Sequence, residues 1–306
     1  MKGPRGELRG LGLAPARRRS QNFLKDSGAA ARMAALVLAE AGGREEAAAG
    51  GGDLPEASAA GRGPLVLEVG PGLGALTRPL LALGLAVCAV ELDRGLCAGL
   101  AGWPEASSGA LELLNKDILK VDAPADLPPG IACVCGNLPY GISTPFLFWF
   151  LEAFGGRLPG VFMLQREVAA RLAAPPGGKE YGRLAVGLGS WFSAREAFSL
   201  GPGAFHPRPR VESSVAVLRP LAARPAVTPA ALGAVTRACF HSRRKTLFNN
   251  LAAAYPREAV GPALAAAGME GGRRPEEFPP EAYQRLTAAL AGPAGAPGGG
   301  GGEGGA

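Results

Sequence analysis

The sequence predicts a doubly wound α/β sheet followed by a small all-helical domain, and three observations carry that expectation. Short apolar runs alternate with helix-patterned segments from about residue 28 to about residue 173, the pattern of a largely parallel sheet with helices on both faces. A glycine-rich turn follows the first strand-like run and opens a helix. From about Thr228 onward only helical patterns remain.

Taken in order, the first helix is expected over 28–41. Strands follow at 65–69, 86–90, 110–114, 131–135 and 161–164, each a short apolar run of the kind buried in a parallel sheet. The helices between and after them are expected at 75–83, 94–101, 144–154 and 166–173. The all-helical part comprises 229–240, 243–254, 256–267 and 280–291. Two segments stand outside this plan. Residues 42–63 hold seven Gly and six Ala and read as a flexible insertion; residues 292–306 hold nine Gly and read as a disordered tail. The expected division is therefore a basic flexible arm (1–20), an α/β domain (21–220), a helical domain (221–291) and the tail.

Charge narrows the class of partner. The 306 residues carry a net charge of +6, and its placement matters more than its size. Residues 1–25 hold seven basic residues against Glu7 alone, and residues 201–251 hold eight against Glu212 alone. Two separated basic zones on an otherwise acidic body point to a polyanion. A hydrophobic content of 47% excludes a wholly disordered chain. Five cysteines with no CxxC pair, and only His206 and His241, argue against a disulfide framework and against a metal site. No uncharged apolar run approaches the roughly 18 residues that span a bilayer, and no apolar stretch follows the N-terminal arginines as in a secretory signal. The Arg-rich, acid-poor arm leaves organellar import open; otherwise a cytoplasmic protein is expected.

The glycine turn reads Glu68-Val69-Gly70-Pro71-Gly72-Leu73-Gly74. Its glycines allow a tight turn and close approach of a ligand to the backbone. Glu91, at the end of the next strand and 21 residues after Gly70, is placed to accept hydrogen bonds from ribose hydroxyls. The spacing is Gly-x-Gly-x-Gly, with Pro71 in the turn. This leans away from a dinucleotide and towards S-adenosylmethionine, which has no pyrophosphate to cradle. Asp117, at a third strand end, is a candidate for holding an adenine amino group.

The fourth strand ends in Asn137-Leu138-Pro139-Tyr140, beside the ligand crevice of such a sheet. An exocyclic amine is a poor nucleophile because its lone pair is delocalised into the ring. The Asn137 amide oxygen and a carbonyl on the Pro139 side can accept its two N–H groups, position the nitrogen and favour the charge that develops there. Tyr140 can stack on the base at about 1–3 kcal/mol. No general base is needed ahead of attack on an activated sulfonium methyl, which suits the scarcity of histidine.

These residues resemble a known family. Asn137-Leu138-Pro139-Tyr140 is similar to the Asn-(Leu/Ile)-Pro-Tyr motif of ribosomal RNA adenine-N6 methyltransferases. The likeness extends over about residues 18–290 to the RsmA/KsgA-type small-subunit dimethyltransferases, through Gln21–Leu24, Glu68–Gly74, Glu91–Asp93, 163–168, 181–184, 205–213 and 243–247. The resemblance implies a Rossmann-like S-adenosylmethionine-dependent enzyme that dimethylates two adjacent adenosines near the 3′ end of small-subunit rRNA during ribosome biogenesis. It implies cofactor contacts at Asn22, Leu24, Gly70, Gly72, Glu91, Asp117 and Asn137. It implies catalytic positioning by Asn137, Leu138, Pro139, Tyr140 and Phe205, with Tyr140 and Phe205 sandwiching a flipped adenine. RNA phosphates would meet Arg17, Arg18, Arg19, Lys25, Arg208, Arg210, Arg243, Arg244 and Lys245, and the C-terminal helices would position the RNA. Ser20, where the family usually has glycine, departs from the pattern. The partner expected is small-subunit rRNA or a subunit precursor, bound by a monomer, with no metal and no membrane. Two rivals remain: an Erm-type enzyme acting on large-subunit rRNA, and a ribosome-assembly factor without catalysis. An NAD-dependent oxidoreductase is disfavoured by the glycine spacing.

Overall fold

The computed structural model describes residues 4–10, 12, 21–42 and 63–291. Among the described residues nine strands form two sheets: β1 (Phe23–Leu24), β2 (Leu65–Val69), β3 (Ala86–Val90), β4 (Leu111–Leu114), β5 (Ile131–Asn137), β6 (Gly160–Gln165), β7 (Phe192–Leu200), β8 (Phe205–His206) and β9 (Ser213–Pro220). The main sheet has the order β4-β3-β2-β5-β6-β9-β7. Strands β2 to β6 pair in parallel, and β9 runs antiparallel to β6. The order reverses between β2 and β5, and in such sheets the crevice at the strands' carboxyl ends at that point receives ligands.

The central strands are buried on both faces, as their unbroken apolar runs require. Gly136 is obligatory here: a Cβ on it would lie 2.4 Å from the Val69 carbonyl oxygen of the neighbouring strand. Helix Ser27–Gly42 is started by the Asp26 carboxylate, which accepts from the Ala29 N–H at 2.9 Å. Its buried Glu40 receives a forked hydrogen bond from Arg219 of β9, at 2.7–3.0 Å, tying the last strand to that helix. On the other face, Phe146 and Phe150 of helix Ser143–Phe154 pack edge-on against Phe162 of β6, at 5.3 and 5.2 Å between ring centres.

The described residues divide into two compact units, and the chain enters each twice. The first comprises residues up to Ala170 and Ser193–Pro220; the second comprises Arg171–Phe192 and the chain from Leu221. The second unit is helical: Arg183–Gly189, Pro229–Cys239, Leu247–Leu251, Arg257–Ala267 and Pro280–Leu290. It is organised around Tyr283, fully buried, whose hydroxyl donates to the Pro275 carbonyl, and Tyr181, whose hydroxyl donates to the Phe278 carbonyl at 2.8 Å.

Four expectations change. Strands β7 and β9 complete the sheet where none was expected. The helix expected over 243–254 shrinks to Leu247–Leu251, because the Thr246 hydroxyl caps it and accepts from the Asn249 N–H. Arg243, Arg244 and Lys245 therefore lie in a turn rather than on a helix. Residues 4–10 of the expected flexible arm form a short helix, with Leu8 buried against Phe23, Leu73 and Leu96. The remainder of the arm, with Arg17, Arg18 and Arg19, lies outside the described residues, as do 43–62 of the insertion and the tail from 292.

Candidate active site

A cleft open to solvent lies at the carboxyl ends of β2 and β5, where sheets of this kind receive their ligands. It brings together Asn22, Leu24, Gly70, Gly72, Glu91 and the Asn137–Tyr140 segment.

The loop after β2 turns through glycines at positive φ: 67° at Gly70, 59° at Gly72 and 77° at Gly74. Their surroundings differ. A Cβ on Gly72 would touch the Phe23 ring at 3.2 Å at the cleft, whereas one on Gly74 would lie 2.1 Å from Trp103. Gly70 and Gly72 serve the cleft; Gly74 serves packing. Glu91 is buried, and burial raises its carboxyl pKa while hydrogen bonds from the Asp93 and Gly72 N–H groups oppose the rise. Those bonds, 2.8 Å to Oε1 and 3.1 Å to Oε2, fix its orientation at the loop. Asn115 donates to the Glu91 carbonyl at 2.7 Å and braces the same strand end.

Asn137 reaches across 115 residues to the segment before the sheet: its Nδ2 donates to the Asn22 carbonyl at 3.0 Å. A carbonyl can only accept, so the pairing turns the Asn137 Oδ1 into the free acceptor end of the amide. The Pro139 carbonyl, by contrast, accepts from the Ile142 N–H at 3.1 Å and the Ser143 hydroxyl at 3.2 Å, and so is spent on starting the following helix. Leu138 is buried beneath. Tyr140 is half-buried, and its hydroxyl shares a 2.7 Å hydrogen bond with Ser213 of β9, which fixes the plane of the ring.

Two expected site residues stand apart. Asp117 does not line the cleft; its carboxylate accepts from the Leu119 N–H at 3.1 Å and caps the short helix Ile118–Lys120. Phe205 is 2% exposed, pairs with Leu24 across β1 and β8, and packs into the core. Its ring lies behind the β1 segment and is not an open stacking face, because the β1–β8 pairing turns it inward. Ser213, Asn115 and Glu68 are the additions that the sequence reading missed; Ser213 had only the signal of ending the proline-rich segment after Phe205.

The model of the family described as ribosomal RNA adenine dimethylase matches residues 18–289. The chain belongs to the ribosomal RNA adenine dimethylase family. Among its relatives, the ribosomal RNA small subunit methyltransferase A of Leptothrix cholodnii is 40% identical over 230 residues, covering 74% of this chain and 82% of that protein. The enzyme of the same name from Pseudomonas putida is 37% identical over 278 residues, 90% of this chain and 94% of that one. The crystal structure of the 23S rRNA methyltransferase ErmE superposes with a TM-score of 0.57 at 28% identity, covering 88% of this chain and 99% of that one.

In this dimethylase-family chain the described basic candidates are all at the surface: Lys25, Arg208 and Arg210 in the first unit, Arg243, Arg244 and Lys245 in the second. The Arg243–Lys245 turn is clamped from beneath by buried Asn250, which accepts from the Ser242 N–H at 3.0 Å and donates to the Ser242 and Lys245 carbonyls at 3.0 and 3.3 Å. Arg274 donates to the Arg243 carbonyl at 3.0 Å from the outside. Among the described residues no group of three metal-ligating side chains is found, and no helix is long and apolar enough to cross a membrane.

Proposed function

We propose that this protein dimethylates N6 of two adjacent adenosines near the 3′ end of small-subunit rRNA, using S-adenosylmethionine, as a step in small-subunit biogenesis. We further propose that it works as a monomer in the cytoplasm. The observation that carries the reading is the Asn137 amide, held by Asn22 with its oxygen as the available acceptor at the mouth of the cleft.

The cleft fits the cofactor by its own chemistry: a loop whose glycines leave no side chains in the way, and the Glu91 acid at the next strand end. Asn22, Leu24, Gly70, Gly72, Glu91 and Asn137 would hold it. Asp117, which caps the helix Ile118–Lys120 outside the cleft, is not among them. When bound, S-adenosylmethionine supplies a methyl group already activated as a sulfonium. The chain's task is then to hold the accepting nitrogen. Asn137 Oδ1 takes one N6–H; since the Pro139 carbonyl is occupied, the Leu138 carbonyl takes the other. Both acceptors favour positive charge on N6 as the new bond forms, and after the first transfer the one remaining N–H keeps one of them. Tyr140, its hydroxyl held by Ser213, stacks on the base, and buried Phe205 backs the wall. The adenine must be unpaired or flipped at a cost of a few kcal/mol, which phosphate contacts from the basic residues offset. The helical unit supplies the Arg243–Lys245 turn for positioning RNA.

The test is methylation of isolated small subunits and of naked rRNA, with the modified bases mapped by mass spectrometry. Asn137→Ala is expected to lower kcat by about 10²-fold or more. A normal rate in that variant refutes the role assigned to Asn137. Modification confined to large-subunit rRNA favours the Erm-type reading.

A further inference from the structure

One buried ionisable group at the cleft has no part in holding the adenine. Glu68, next to last in β2, lines the cleft and is 1% exposed. Its Oε2 has no hydrogen-bond partner among the described residues, and neither has the adjacent Thr77 hydroxyl. Buried carboxyl oxygens are as a rule hydrogen-bonded, so an orphan at a ligand cleft marks a place where the ligand completes the environment.

The groups around it are settled by the fold. Glu91 faces it from just past the end of β3; Cys135, its register partner on β5, faces it with a thiol that burial holds well above its ordinary range. Helix Thr77–Ala82 presents the Thr77 hydroxyl, and helix Ser27–Gly42 lends apolar Met33 to the same cleft. None of these groups is a cation. Burial pushes the Glu68 carboxyl up to about 8; the Thr77 hydroxyl opposes the rise without reaching hydrogen-bond geometry, and the Glu91 charge adds to it. Two carboxylates cannot both ionise cheaply in so dry a place.

We propose that Glu68 is the proton-exchanging acid of the cofactor cleft, neutral in the free protein and ionised when the cationic cofactor binds. This rests on the cofactor reading above. S-Adenosylmethionine carries a sulfonium and an ammonium against one carboxylate, and its net positive charge offsets the second negative charge of the Glu68–Glu91 pair. The Glu68 O–H bond breaks, the electron pair stays on the carboxylate, and the proton passes to solvent. No other reactant is needed. Binding then tightens as pH rises towards about 8 and levels off above it.

Isothermal titration calorimetry of the full chain with S-adenosylmethionine, at pH 7 in buffers of different ionisation enthalpy, counts the protons released. At that pH most free molecules hold the Glu68 proton, so wild type is expected to release more protons per cofactor than Glu68→Gln, by up to about one. The ligand's amino group titrates alike in both proteins and cancels in the difference. Equal release by both proteins, with binding intact, overturns the proposal and leaves the cofactor reading standing. Failure of wild type to bind S-adenosylmethionine overturns both; where Glu68→Gln alone fails to bind, the infrared measurement on wild type decides. Should Glu68→Gln not fold, infrared difference spectra of wild type decide: loss of a protonated-carboxyl band on binding supports the proposal, and a band that persists overturns it.

Discussion

Replacing Gly74 by alanine isolates the one glycine of the loop that serves packing. Two costs add. At φ 77° a Cβ meets the backbone strain of the left-handed region, about 1–2 kcal/mol, of which about 0.4–1 kcal/mol is returned by the stiffer unfolded chain. The new methyl would lie 2.1 Å from Trp103 Cη2, 2.8 Å from Cζ2 and 3.1 Å from Leu100 Cδ2. The indole is also covered on one face by the Arg78 guanidinium at 3.9 Å, so moving it away disturbs a second contact. Overpacking of this kind costs about 1–3 kcal/mol. The expected loss for Gly74→Ala is therefore about 2–4 kcal/mol, read by urea unfolding followed by far-ultraviolet circular dichroism. In a Trp103→Leu background the two indole clashes disappear, and the backbone strain, about 1 kcal/mol, remains with the milder Leu100 contact. A loss below about 1 kcal/mol for the single variant, or the same loss in both backgrounds, refutes the packing role.

Three further outcomes are expected. Tyr140→Phe and Ser213→Ala, combined in a double-mutant cycle, should show a coupling of about 1 kcal/mol from their shared hydrogen bond; strictly additive losses in unfolding free energy would sink the link. Neutralising Arg243, Arg244 and Lys245 together should weaken RNA binding and flatten the log-affinity against log-salt line by up to about 2 units of slope, as measured by filter binding across a salt series; an unchanged slope excludes phosphate contacts there. For stability, Glu68 has a folded pKa raised from 4.5 to about 8. The stabilisation of its neutral form is full below the unfolded value and is lost as pH rises through the folded one, because the unfolded chain releases the proton first. The cofactor-free protein should therefore lose stability over that window, and Glu68→Gln should flatten the decline; parallel pH profiles would contradict the assignment.

What was legible in the sequence was what is local. Strands β2 and β3 and helix Arg94–Ala101 occupy the expected positions because buried parallel strands are unbroken apolar runs, and Asp93 marks a helix start that it caps at Gly95 and Leu96. Strand β7 was hidden because Arg195 and Glu196 interrupt its apolar pattern. The helix expected over 243–254 overran its true start because basic residues carry no stop signal, whereas the Thr246 cap depends on backbone geometry. Within the site, the glycine loop and Asn137–Tyr140 are contiguous and so were readable. The partners that set their geometry, Asn22 for Asn137 and Ser213 for Tyr140, lie 115 and 73 residues away, and only the fold joins them. Glu68 looked like one more motif letter; its isolation is a property of four neighbouring elements, not of its own segment.

The double passage of the chain between its two units sets the order of events at the ribosome that makes it. Synthesis delivers residues N-terminus first, at about 5–20 per second. When Ala170 emerges, β6 has no partner on its outer edge, because β9, its antiparallel neighbour, begins only at Ser213. Arg171–Phe192 appears next and belongs to a unit whose remaining helices are encoded beyond Leu221. Neither unit can finish before the other has been started. A nascent chain halted between 170 and 213 would present an open strand edge, the kind of surface that recruits other chains. Dissecting this protein into separately expressed halves therefore requires a circular permutation or a linker replacing 171–192, not a single cut.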